Sequence, residues 1–433
     1  MKNKVIHGGK QIILILLVYC LLSGSIPAVS AKNLPHGWAG EGVAWQYNPS
    51  AKTLSFAGKG QMEDLLKDGF LDDTEYDQYK KKVKTVVFKE GIVAVGVGCC
   101  YGMSNLTEVK FSKSIKEIDE AAFQHCVKLK KVKLPPNLKK IGYHAFYDTA
   151  ITQIKFPGKL EKMEGEVVKE GQLKTFNIPK SLKEIPSGLY SGNKKLTSYK
   201  IPDHIESIGS GAFSRCKNLK SITLNKKLKT IGSLAFSECK NLETVTCNKE
   251  LEKIEEYAFS GCKNLKTVTC NKELRKIGDF TFSYCEKMVS IKLSSQLQEI
   301  GNYAFKNCGR LVSIEVPDTV KLIGCDAFYR CKRLKTIKLP DGIEKIRPEL
   351  FLGSGIEHIT IPSKVEEISY LPFAKCNDLK EIHIKSLDIK RLCHTFEGIP
   401  SDCVIYVPTA KVEEYREMFQ KSGLDPTIQI IGE

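Results

Sequence analysis

Apolar residues in this chain fall in a register that repeats every 23 positions, most regularly between Phe213 and Ile346. Phe213, Phe236, Phe259, Phe282, Phe305 and Phe328 mark the period, and Cys216, Cys239, Cys262, Cys285, Cys308 and Cys331 follow three residues after each. Leu219, Leu242, Leu265, Met288, Leu311 and Leu334 come next, and then Ile222, Val245, Val268, Ile291, Ile314 and Ile337. A period this short cannot hold a pair of packed helices and lies within the roughly 20 to 29 residues of a leucine-rich repeat. Each unit is therefore predicted to make one coil. Leu265, Val268 and Cys270 turn inward along one strand, and Leu274 with Ile277 forms a shorter extended segment on the return. No such coil buries its own apolar face, so the coils must stack.

The marker column continues on both sides. Read as Cys100, Phe123, Phe146, Val167, Tyr190, the six phenylalanines, Phe351, Phe373 and Phe396, it gives about fourteen coils over residues 83–408. The coil at Val167 lacks the Ile-Gly pair, the Ala-Phe pair and the cysteine, and is expected to bend the stack or bulge from it. Residues 32–82 have no such period. There Val43, Trp45 and Tyr47, then Leu54 and Phe56, alternate as a hairpin does, and a charged lead-in follows. In residues 409–433, Val412, Tyr415 and Phe419 have helical spacing and Ile428, Ile430 and Ile431 read as a strand. Both end segments are expected to cover the ends of the stack, because an open end face invites aggregation. The fold class is thus a β-rich leucine-rich-repeat solenoid with a parallel sheet, a small N-terminal β module and a C-terminal helix and strand cap.

The unit I-G-x-x-A-F-x-x-C-x-x-L-x-x-I, present as Ile231, Gly232, Ala235, Phe236, Cys239, Leu242 and Val245, resembles the repeat of the BspA-like leucine-rich-repeat surface proteins. Gly37, Gly40, Trp45, Leu54, Phe56, Gly58, Gly60 and Met62 are spaced like the segment that often precedes those repeats. Ala39 stands where that segment has a cysteine, so no disulfide is expected there. The resemblance implies a right-handed solenoid that works as a binding surface and not as an enzyme. It also implies a bacterial cell-surface or secreted adhesin, engaging host extracellular glycoproteins such as fibronectin or fibrinogen, or other cells.

Lys2, Lys4 and Lys10 precede the apolar run Ile12 to Leu22, and small residues follow up to Ala31. That order is the order of a secretory signal peptide, and the run is short of the roughly 20 residues of a membrane span. Residues 1–31 are expected to be removed, leaving a secreted or cell-surface chain, without a membrane span and monomeric. The formal charge is +16, which favours anionic partners. Lys217, Lys240 and Lys263 form one basic column, and Lys226, Lys249 and Lys272 another. This stripe supports a second reading, a cell-envelope structural protein bound to anionic wall polymer or acidic glycan. It lacks the interleaved aromatic residues on which single-stranded nucleic acid stacks, so nucleic acid is not an expected partner.

Sixteen cysteines in an exported chain ordinarily suggest disulfides. Coils stacked about 4.8 Å apart leave in-register cysteines too far apart, since bridged β-carbons lie about 3.8 Å from each other. Free, buried thiols are expected instead. The eight histidines are scattered, with no H-E-x-x-H and no C-x-x-C, so no metal site is expected. Gly209, Ser210 and Gly211 belong to a repeat turn and not to a nucleophile elbow. No catalytic residue and no cofactor is predicted.

The exposed side of the long strand remains. One column is Ser221, Thr244, Thr267, Ser290, Ser313 and Thr336; another begins Thr223, Thr246 and Thr269 before turning to Lys292, Glu315 and Lys338. Hydroxyl side chains suit a wet sheet face by propensity alone. They also let a partner approach the backbone closely, and together with Lys217, Lys240 and Lys263 they are the candidate ligand contacts.

Overall fold

The 23-residue register is a stacking register. The computed structural model describes residues 34–64, 66–67, 70–71 and 74–433, and each repeat in it contributes short parallel strands on two sides of a coil. Thr244–Thr246 pairs in parallel with Thr267–Thr269, each residue opposite its equivalent one coil on. On the return side Lys253–Ile254 pairs with Lys276–Ile277. Strand alternation sets the faces: Thr267 and Thr269 are exposed while Val268 is buried between them. The fold is a parallel-sheet repeat solenoid, as the register predicts.

Two columns fill the core. The rings of Phe236 and Phe259 lie 5.2 Å apart with 6° between their planes, and those of Phe259 and Phe282 5.6 Å apart. Stacking at this separation is a favourable aromatic arrangement that the coil spacing itself provides. The cysteines three residues on are also fully buried, and every cysteine among the described residues is a free thiol.

The corner before each phenylalanine explains the Ile-Gly pair. A β-carbon on Gly324 would lie 2.4 Å from the backbone nitrogen of Asn302, and one on Gly232 would lie 2.8 Å from the carbonyl oxygen of Ile208. The preceding coil passes so close that only glycine fits. Two residues before the phenylalanine the chain turns through a left-handed residue, at Leu234, Tyr257, Phe280 and Tyr303 with φ of 59°, 56°, 55° and 56°. Backbone bonds between coils keep the corners satisfied, as where Phe236 N–H donates to Ala258 O at 2.8 Å.

The chain forms two compact units, one ending at Leu196 and the other running from Thr197 to Glu433. In the first, the strands Val43–Asn48 and Thr53–Gly58 form the antiparallel hairpin. Thr53–Gly58 then pairs in parallel with Thr85–Phe88 of the first coil, so the module extends the sheet and occupies its edge. Trp45 packs its ring against Tyr76 and Tyr79, 5.7 and 6.1 Å away. The return-side sheet of this unit ends at Lys162–Met163, just before the irregular coil. That coil nevertheless stays in the stack: Val167 is buried in the phenylalanine column, and its carbonyl accepts from Phe146 N–H at 2.9 Å. The buried amide of Asn193 ties it to the next turn, accepting from Leu173 N–H at 2.9 Å and donating to Val168 O at 3.2 Å.

In the second unit the helix Val412–Lys421 buries Tyr415 and Phe419. The Tyr415 hydroxyl donates to Ser386 O at 3.0 Å. The strand Gln429–Gly432 then pairs in parallel with Val404–Val407, so the cap ends as one more strand of the sheet. The expected signal peptide lies outside the described residues. No helix among those residues is long and apolar enough to cross a membrane.

Candidate binding face

The outward side of the long strands in the second unit carries the hydroxyl columns. Ser221, Thr244, Thr267 and Ser290 stand opposite one another in successive strands, as do Ser313 and Thr336. All six are exposed. Thr223, Thr246 and Thr269 form the parallel column two residues on, also exposed. The ladder is not one continuous sheet. One sheet ends with Ser290–Lys292 and the next begins with Ser313–Glu315, which divides the hydroxyl column between two sheets. An open groove of about 840 Å³ spans that division, lined by Ser290, Lys292, Ser313, Glu315, Thr336 and Lys338 among others. A second, of about 620 Å³, includes Thr223, Thr244, Thr246, Lys226 and Lys249.

Lys217, Lys240 and Lys263 stand in the turn between the phenylalanine corner and the long strand, not on the strand itself. Acids interrupt their stripe. Lys240 lies 3.4 Å from Glu238 and Lys263 2.7 Å from Glu286, whose hydrogen bond holds the lysine above its ordinary pKa. Lys272 of the other column lies 3.7 Å from Glu273. Such pairs shorten the reach of the positive field, which salt screens further.

The cysteine column is unsuited to chemistry. Burial, and then the neighbouring thiols Cys216 and Cys262, raise Cys239 well above the usual thiol range; burial pushes Cys331 up to about 12. A thiol so protonated and covered is neither nucleophile nor metal ligand at neutral pH.

The structure also brings together residues that the repeat pattern treats as variable. Tyr257, Phe280 and Tyr303, at the left-handed corner, stack at 4.5 and 4.4 Å with 5° and 13° between planes. Lys306 sits over both Tyr303 and Tyr329, 4.7 and 4.8 Å from the ring centres. The signal was present as aromatic residues recurring at 23 positions, but outside the inward register.

The sequence model of the BspA-type leucine-rich-repeat region, built of six copies, matches residues 74–197, 183–312 and 298–399. The chain belongs to the BspA-type leucine-rich-repeat family. Solved structures of similar fold include a leucine-rich repeat protein from Bacteroides ovatus, 21% identical over 90% of this chain and 98% of that one, with a TM-score of 0.64. Another, from Eubacterium ventriosum, is 20% identical over 74% and 95% of the two chains, with a TM-score of 0.53. The pneumococcal vaccine antigen PcpA is 20% identical over 92% and 98%, with a TM-score of 0.55. No curated protein matches the chain. In this BspA-type protein the inward phenylalanines, cysteines and corner glycines are occupied with stacking, so partner choice falls to the outward residues.

Proposed function

We propose that this BspA-type protein is a bacterial surface or secreted binding protein that engages host extracellular glycoproteins, or other cells, through the outward face of its long strands. The observation that carries this reading is the in-register, exposed hydroxyl column from Ser221 to Thr336 beside open grooves. Short side chains there leave the sheet backbone within reach of a partner, along the extended face that a repeat array presents. Membership of a family of repeat-built surface proteins supports it, as does the vaccine-antigen designation of one structural relative. Nothing in the site is arranged for a reaction, and the reading is of an adhesin and not an enzyme.

Lys217, Lys240 and Lys263 support the second reading, attachment to anionic wall polymer. Their pairing with Glu238 and Glu286 weighs against it. Immobilised host matrix glycoproteins and isolated cell wall, each probed with the full chain, separate the two. Thr267→Trp and Ser290→Trp abolish capture by the glycoproteins if the strand face is the contact. Joint neutralisation of the three lysines abolishes wall binding, in a salt-dependent way, if the stripe is. Normal binding by both sets of variants removes both readings.

A further inference from the structure

On the last coils of the second unit, four titratable side chains gather on the outward side of the long strands. His358–Ile361 pairs in parallel with Glu381–Ile384, placing His358 opposite Glu381 and Thr360 opposite His383. Glu381 and His383, two apart on one strand, point the same way. His358 Nδ1 lies 2.8 Å from Glu381 Oε2, and His383 Nε2 lies 3.6 Å from the same oxygen. On its other side, His383 Nδ1 lies 3.0 Å from Glu433 Oε2, and Lys385 Nζ holds the second Glu433 oxygen at 2.6 Å. The His383 ring stacks on Tyr406 at 4.5 Å and 7°.

Two imidazoles and a carboxylate are the ligand set of a borderline divalent ion. A tetrahedral ion about 2.0 to 2.1 Å from its ligands sets them about 3.3 Å apart, and the separations of 2.8 and 3.6 Å fall on either side of that value. Glu433 is held ionised by Lys385 and then by His383. As a carboxylate it only accepts, so Nδ1 of His383 carries the proton and Nε2 keeps a lone pair beside Glu381. That is the carboxylate–histidine relay that orients metal-bound imidazoles. The ring stack on Tyr406 fixes the same orientation. As they stand, the donors are hydrogen-bonded partners, and no three such side chains among the described residues enclose a ready metal cage. Closing one needs only a rotation of His358, whose side chain is 44% exposed.

We propose that His358 Nδ1, Glu381 and His383 Nε2 bind a divalent transition-metal ion of the Zn2+ type, with Glu433 as positioning residue and at least one coordination position left open to solvent. The site is independent of what the rest of the face binds.

Calorimetric titration of the full, chelator-stripped chain with Zn2+ alone tests it. One equivalent binds. Glu433→Gln, which removes no ligand, weakens binding about 10- to 100-fold, and His358→Gln and His383→Gln weaken it further; Glu381→Gln is the independent third variant should either histidine change lower stability. His394→Gln, at an exposed histidine paired with Glu397, leaves binding unchanged. The Co2+ form shows nitrogen and oxygen ligation without thiolate charge-transfer absorption. No stoichiometric binding, binding indifferent to His358 and His383, or a thiolate signature placing the ion on cysteine would each overturn the proposal.

Discussion

The Cys262 thiol donates to the carbonyl oxygen of Phe236, 3.2 Å away in the preceding coil. The same bond recurs from Cys239 to Phe213 at 3.1 Å, from Cys308 to Phe282 at 3.2 Å and from Cys331 to Phe305 at 3.1 Å. The cysteine column is therefore more than small apolar filling. Each thiol answers a carbonyl that the corner leaves facing the next coil, in a place too narrow for a larger donor.

This arrangement predicts thiol behaviour. Among the described residues Cys393 is exposed, Cys247 and Cys325 are half-buried, and the others are buried. A thiol reagent should label Cys393 readily and those two slowly, and should reach the rest only in denaturant. Low labelling even in denaturant would mean that the cysteines are bridged.

The same burial gives a pH dependence. Unfolded thiols titrate near 9.0, whereas Cys331 in the fold is held up to about 12. Because the folded value is the higher, the stabilisation is complete below about 9 and is lost as pH rises toward 12. The loss is about 1.4 kcal/mol per pH unit for each such thiol. Denaturation midpoints at pH 8, 9 and 10 check this; a flat profile contradicts it.

Phe259→Ala should cost about 3 to 5 kcal/mol, since the ring is fully buried between its two neighbours. Lys263→Ala should leave stability near that of the parent, although Lys263 is 2.7 Å from Glu286, because exposed pairs contribute little. Urea denaturation compares them directly, and equal losses would contradict the inward register.

Gly324→Ala is predicted to destabilise by about 1 to 3 kcal/mol, the usual range for overpacking. Its β-carbon would meet backbone atoms of the preceding coil at 2.4, 2.6 and 2.7 Å, and backbone cannot swing aside. Gly309→Ala, which meets nothing within 4 Å, serves as the control and should be close to neutral. Thermal denaturation of the pair checks the contrast.

Asp326 is 6% exposed, and burial first, then the neighbouring Glu349, lifts its carboxyl from 3.8 to about 6. A raised folded value means that its contribution is present below about 3.8 and is lost as pH rises to about 6. Asp326→Asn should therefore gain stability relative to the parent between pH 4 and 7, with no further gain above. A difference independent of pH would show that the carboxyl is already ionised at the lower end.

The sequence by itself determined the coil. Burial imposes one pattern on every repeat, so the inward columns at Phe259, Cys262, Leu265 and Val268 and the outward column at Thr267 are legible without coordinates. The hairpin at Val43 to Phe56 and the helix at Val412 to Lys421 were legible too, because each carries its own local periodicity. Only the tertiary structure decided that the hairpin joins the sheet edge, where Thr53 meets Thr85, and that the hydroxyl column divides between Lys292 and Ser313. Strand pairing depends on backbone positions that side-chain patterns do not record. The same holds for His358 and His383. Their separation of 25 residues matches no ligand motif along the chain, and they meet at Glu381 because adjacent coils set residue 358 opposite residue 381. Outward side chains bear no burial constraint, so their partners follow from geometry and rotamer, neither of which is written in a repeat.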